Sequence, residues 1–423
     1  MVEKNTQVTL PRFVSVDDHV VEPPDLWIKR LPKKHQEDAP HVVRKRGHWK
    51  KEGSEMVAFI ECNGEDGCRW GDQWVVNGDV WPLTGGYVRA KPEVGRLTSD
   101  VPVTYDEIED GCYQQGARLV AMDQNHTEAS LCFPTVPRFA GQRFLTTPDK
   151  DLALLEVQAF NDWIIEEWCG GAAVGRLIPQ TIMPLWDPEL AAVEVQRCAD
   201  LGSHAVAFSE CPPHIGLPSI HSGHWDPVFD VCQNTDTVIN MHIGTSSRVP
   251  TTGPDMPPAV GAALTFKNSV NAAADWLCSG VLERYPKLRI ALSEGQVGWL
   301  PFLLERLDSV WDRYDQYQLN FHEKVPRRPS SYVADRLYAC VFDDLVGLAN
   351  RERIGIKQIM FEVDYPHADS TWPRTMEVAD ALVKGANLTE DETFRFLRGN
   401  AITCYGLERY GLSADAPVSP DAA

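Results

Sequence analysis

The chain has 423 residues, 60 acidic and 40 basic, giving a net charge of −20 and a pI near 5.0. That balance argues against nucleic acid or an anionic membrane as partner, since both repel a polyanion, although a bound cation can reverse the sign locally for an anionic substrate. An apolar fraction of 43% supports a sizeable core, and the length fits one large barrel with insertions or two domains. The eleven cysteines are scattered; Cys62 and Cys68 lie close together in a Gly-rich loop, but no second pair follows. The expectation is reduced thiols in an intracellular protein. Met1 to Pro11 is polar and no apolar run reaches membrane length, so a cytoplasmic location without a membrane partner is expected.

The first strand is expected at residues 13–16, leading into Asp17-Asp18-His19. A strand alternates its faces, so Asp17 and His19 point one way and Asp18 the other. Glu22-Pro23-Pro24 stops the strand, and Leu26-Trp27-Ile28 reads as a helix start. Residues 30–116 differ from the rest: rich in Lys, Glu, Gly and Asp, with β-like pieces at 56–61 and 73–76 and a turn at Asn77-Gly78-Asp79. They read as an insertion or cap over the end of the first strand, between an entry segment (1–29) and the remaining barrel (117–410). Trp70, Trp74, Trp81 and Tyr87 either anchor this subdomain or line a pocket, and anchoring is the commoner role. A flexible Ser/Ala/Pro/Asp tail is expected at 411–423.

From Arg118 onward, strands alternate with helices. Strands are expected at 129–133, 176–185, 205–208, 237–241, 288–292, 337–342 and 358–361. Asp187-Pro188 and Asp226-Pro227 read as a capping Asp followed by Pro at the first helical position. With the first strand this makes eight short, largely apolar strands, as expected when both faces are covered. The pattern is that of an α/β protein, a (β/α)₈ TIM barrel with a long insertion after strand one. An open doubly wound sheet is the second choice, and the absence of a glycine-rich phosphate loop after strand one counts against it.

Active residues of such barrels sit at the C-terminal strand ends. There the chain places Asp17 and His19 (strand one), His242 (strand five), Glu294 (strand six), and Asp364 with His367 (strand eight). Asp and Ser are common in strand-to-helix turns as caps, but histidine has no capping advantage. His19 and His242 at two strand ends, with Asp364 at a third, therefore favour a divalent metal centre. Carboxylates and imidazoles suit Zn, Mn or Fe(II) about equally. Arg138, after strand two, is a candidate for a substrate carboxylate. His221 and His224, after strand four, are weaker candidates for the site mouth.

Asp17-Asp18-His19, Met241-His242-Ile243-Gly244, Gly298-Trp299-Leu300-Pro301-Phe302 and Asp364-Tyr365-Pro366-His367, in that order, resemble the amidohydrolase-related family. That family includes aminocarboxymuconate-semialdehyde decarboxylase and the resorcylate-type decarboxylases. The resemblance covers roughly residues 11–20 and 115–410. It implies a distorted TIM barrel holding one divalent metal through Asp17, His19, His242 and Asp364. One departure stands out: Ser293-Glu294-Gly295-Gln296 occupies the place where those decarboxylases carry a catalytic His. A carboxylate there donates a proton at neutral pH only if its pKa is raised. It can instead bind metal, and a second ion is then expected between Glu294 and Asp17 or His367. The chain is also similar to the 2-aminoisobutyrate hydroxylase subunits, two-metal oxygen-using relatives that work as homologous pairs.

The expected function is metal-dependent hydrolysis or non-oxidative decarboxylation of a small carboxylate or carbonyl compound, with Asp364, Glu294 and His367 as catalytic residues. The alternatives are an Fe/Mn oxygen-dependent hydroxylase subunit, or a catalytically silent partner of one. A homo-oligomer, or a hetero-oligomer with a homologous subunit, is expected from the resemblance.

Overall fold

The computed structural model describes residues 10–414 except 53–54, 63, 65–67, 96, 99, 254 and 314–319. Strand β1 (Phe13–Val20) is buried along its whole length. It runs past the expected end at residue 16, so Asp17, Asp18 and His19 are strand residues with fixed facing. Its parallel register with the next parallel strand slips between Ser15 and Asp18, an irregularity of the kind that re-aims side chains beside active sites.

After a short helix (Leu26–Arg30) comes an antiparallel sheet of β2 (His41–Glu52), β3 (Glu55–Glu61), β4 (Arg69–Val76) and β5 (Asp79–Pro82), in the order β3-β2-β4-β5. Asn77 and Gly78, both at positive φ, join β4 to β5, as a two-residue hairpin turn requires. The two Cys expected as free thiols, Cys62 and Cys68, are instead disulfide-bonded: the end of β3 (Glu61) and the start of β4 (Arg69) both lie opposite Gly47 of β2, and the two Cα atoms are 6.1 Å apart. Nine cysteines are free, and Cys132 is among the buried ones.

The parallel strands follow: β6 (Thr127–Pro134), β7 (Leu177–Ile178), β8 (Ala205–Ala207), β9 (Val238–His242), β10 (Ile290–Ser293), β11 (Leu337–Val341) and β12 (Ile359–Phe361). They do not form one unbroken ladder. β1-β6-β7 make a sheet of three, and β8 to β12 a sheet of five in sequential order. A parallel bridge from Thr181 to Val206 spans one seam between them. At the other seam the Asp364 amide donates to the Asp17 carbonyl, and the His19 amide to the Tyr365 carbonyl, each at 2.8 Å. β7 is far shorter than the expected 176–185, since Pro179 and Pro184 lack the N–H a ladder needs.

Between the strands run helices such as Pro188–Asp200, which Asp187 caps through the amides of Glu189 and Leu190. The matching reading at Asp226 is corrected: Asp226 is the first helical residue, makes no cap bond, and pairs with Arg284. Val14, Val16, Leu131, Ile178, Cys340 and Met360 fill the space between the strands, and Tyr405 and Leu412 join them. Leu412 is thus core, which corrects the expected flexible tail at its first residues; 415–423 lie outside the described residues.

Candidate metal centre

The strand periodicity places its residues as expected. Asp17 and His19 face the interior. Asp18 faces away, bonded to the Ser130 hydroxyl and accepting from the Tyr365 amide at 2.9 Å; burial pushes its carboxyl up to about 6. From β1, β9 and the β12 loop, ligand atoms of Asp17, His19, His242 and Asp364 converge within 4.8 Å of one another, all buried. The two imidazole Nε2 atoms are 3.1 Å apart. His19 Nε2 is 3.2 Å from Asp364 Oδ1, and His242 Nε2 is 3.6 Å from Asp17 Oδ2.

The electrostatics fit a cation. Burial first, then the neighbouring carboxylates of Glu362, Asp364 and Glu294, raises the Asp17 pKa well above the usual range. Burial and Glu362 do the same to Asp364. Burial lowers His242 to about 3 and His19 well below its ordinary value, so both imidazoles are neutral with a lone pair to give. His242 Nδ1 faces the Ile243 carbonyl at 2.5 Å, which turns the Nε2 lone pair toward the cluster. None of the four carboxylate oxygens of Asp17 and Asp364 has a hydrogen-bond partner among the described residues. Buried acceptors left this way are costly unless a cation satisfies them. Two carboxylates and two neutral imidazoles suit Mn, Zn or Fe(II).

Around this cluster, Glu294 Oε2 lies 3.3 Å from His242 Nε2. It adjoins the converging four without being one of them. Burial, then Asp364 and Glu362, raises its pKa well above normal. His367 stacks on His19 with ring centroids 3.6 Å apart and sets Nδ1 3.1 Å from Asp364 Oδ1. Asp364 and Glu294 both sit at positive φ, backbone strain typical of functional positions. Asp364 caps no helix, since the next one begins at Thr375.

A cavity of about 290 Å³ opens beside Glu294 and His367, walled by Trp81, Tyr87, Phe139 and Arg138. Trp74 and Trp81 thus have different roles: Trp74 is a buried anchor bonded to Tyr105, whereas Trp81 and Tyr87 line the cavity. Trp70 is exposed. His221 pairs with Asp275 on the surface and His224 packs edge-on against Trp225. Neither reaches the cavity, because their loop turns outward over the following helices.

The second group of converging donors among the described residues is not Glu294 with Asp17 and His367 but Asp17, Cys340 and Glu362. Glu362 also accepts from the Glu294 amide at 3.1 Å. Sequence reading passed over Glu362, although it lies two residues before Asp364. Phe139, whose ring stands 4.3 Å from that of His242, carried no signal, since loop aromatics are common.

A family model described as amidohydrolase matches residues 81–407. The gamma-resorcylate decarboxylase of Rhodococcus jostii (strain RHA1) is 24% identical over 336 residues, covering 73% of this chain and 93% of that protein. An amidohydrolase structure from Mycobacterium avium subsp. paratuberculosis K-10 superposes with a TM-score of 0.67 at 20% identity, covering 94% of this chain and 99% of the other. A dihydroxybenzoic acid decarboxylase from Polaromonas sp. JS666, solved with bound manganese, gives 0.56 at 21% identity over 71% and 88% of the two chains. With a matched span of well over half its length, this chain belongs to the amidohydrolase family.

Proposed function

We propose that this chain is a metal-dependent carboxy-lyase that removes CO₂ from a small carboxylate without oxidation. The observation that carries the reading is the set of four unpartnered carboxylate oxygens converging with two neutral imidazoles beside an aromatic-walled cavity. The decarboxylases among its relatives support it. The two sheets read as one barrel closed at both seams, with residues 30–116 as a cap that contributes Trp81 and Tyr87.

Asp17, His19, His242 and Asp364 would hold the ion, which supplies positive charge to orient the substrate's oxygens and draw electrons from the carbon losing its carboxylate. The protein supplies the rest. Phe139, Trp81 and Tyr87 exclude water and give a planar substrate faces to stack on. His367, stacked on the His19 ring at 3.6 Å, holds that ligand in place. Glu294, half-buried on the cavity wall beside His242, would be the proton donor. As the carbon–carboxylate bond breaks, the electron pair stays on carbon and takes that proton, CO₂ leaves, and solvent reprotonates Glu294.

The test is anaerobic incubation of the manganese-loaded protein with a panel of ¹³C-carboxyl-labelled aromatic acids in D₂O. Labelled CO₂ with one deuteron on the vacated carbon is expected. Turnover that consumes dioxygen, or cleavage of esters and lactones with no CO₂ release, would overturn the reading.

A further inference from the structure

The cavity wall carries both signs of charge. Glu294, 3.3 Å from His242, lines it, and so does Arg138, which has no ion-pair partner among the described residues. Arg143 stands behind it: buried, with Nε donating to the Val136 carbonyl at 2.5 Å and Nη2 without a partner. Both guanidinium groups lie over the Trp81 ring, at 5.6 and 4.4 Å from its centroid. Elsewhere the arginines of this acidic chain are mostly ion-paired, as Arg44 is with Asp72 and Arg197 with Glu194. Asp79 and Glu22 offset part of the Arg143 charge, but half-buried Arg138 has no paired carboxylate, and an anion in the cavity would stabilise it.

The backbone that presents Arg138 is also built for placement. Arg138 takes a positive φ, a conformation that disfavours any residue bearing a side chain. The turn is closed by the Arg138 amide donating to the Thr135 carbonyl, and the Gly141 amide to the Arg138 carbonyl, both at 3.1 Å. Buried Glu22 fixes its start, accepting from the amides of Thr135 at 3.1 Å and Val136 at 2.9 Å. A surface arginine needs no such scaffold.

We infer that the substrate is a diacid: one acidic group engages the metal-ligand cluster, and a second is held by Arg138 with Arg143 behind it. This rests on the metal-bound carboxylate reading of the site. The cavity, at the small end of the range for bound organic ligands, suits a single ring or short chain. A planar guanidinium matches a carboxylate through paired hydrogen bonds.

The test is equilibrium binding by isothermal titration calorimetry to the manganese-loaded protein, with benzoate, benzene-1,3-dicarboxylate and benzene-1,4-dicarboxylate as probes. Wild type should bind the better diacid at least about tenfold more tightly than benzoate, the scale of one charge-assisted hydrogen bond. Arg138→Gln should erase that preference while keeping metal content and benzoate affinity, and Arg138→Lys should restore part of it. The inference is overturned if wild type does not prefer either diacid, binding of neither included. Equal loss of benzoate and diacid binding in Arg138→Gln overturns it as well. A diacid bound with this preference but releasing no CO₂ would defeat the carboxy-lyase reading and leave the two-anion site standing.

Discussion

His19 and His242 are 223 positions apart in the chain, yet their Nε2 atoms face each other at 3.1 Å in the buried interior. With the Asp17 and Asp364 carboxylates beside them, the two neutral imidazoles converge as the ligands of one cation do. His242→Ala should therefore lower metal affinity by more than about tenfold, since altering even an outer partner of a ligand costs 10- to 100-fold. Far-ultraviolet circular dichroism should stay unchanged. Metal per chain after dialysis is the measurement, and full occupancy in the variant would remove His242 from the ligand set. Chelation of the wild type should lower its melting temperature, and added manganese should restore it.

Glu294→Gln separates two roles for that carboxylate. As the proton source, it should lose about 10²-fold or more in kcat while metal content stays at the wild-type level. Loss of metal with a matching loss of rate would make Glu294 a ligand, as its 3.3 Å approach to His242 also permits. An unchanged rate would leave it a structural residue.

Arg118 is buried and ties three segments together. Its Nη2 donates to the His19 carbonyl at 2.6 Å, its Nε to the Gly111 carbonyl at 2.8 Å, and its guanidinium lies 4.6 Å from the Tyr365 ring centroid. Arg118→Met keeps much of the volume and removes the donors. The buried carbonyls left behind should cost about 1–3 kcal/mol of stability each, and metal affinity should fall about 10- to 100-fold as His19 loses its support. Chemical denaturation and a metal titration read the two effects; normal metal affinity in a destabilised variant would limit Arg118 to stability.

Glu22 supplies a pH signature. Burial pushes its carboxyl from about 4.5 up to about 8. The folded state therefore holds a proton that the unfolded chain has released. Its contribution to stability is complete below about pH 4.5, declines as pH rises, and is gone above about pH 8. Glu22→Gln does not titrate. The melting-temperature gap between wild type and variant should narrow between pH 5 and 8.5, by at least about 2–4 °C for a chain of this size. Parallel curves would show that Glu22 does not titrate in this window.

Much of the site was legible in the chain itself. Period-two alternation fixes the opposite facing of Asp17 and Asp18, and a run of apolar residues ending in a histidine is enough to place His242 at a strand end. Those are local consequences of backbone geometry, readable without knowing which strands are neighbours. The eight parallel strands follow from the same kind of signal, and so do the Asp187 cap and the Asn77-Gly78 turn. What the sequence could not decide depends on which side chains meet across the fold. The 30–116 segment shows its composition but not that Trp81 and Tyr87, rather than Trp70, turn toward the metal centre. Cys62 and Cys68 are bridged because the end of β3 and the start of β4 meet on either side of Gly47 in β2. Glu362 and Cys340 become neighbours of Asp17 only when β11 and β12 pack beside β1, and His221 and His224 lose their place at the site only when their loop turns outward. Arg138 and Arg143 look like ordinary loop arginines until folding sets both over the Trp81 ring and leaves Arg138 without a paired carboxylate among the described residues, since burial and pairing are properties of the tertiary structure and not of the residue.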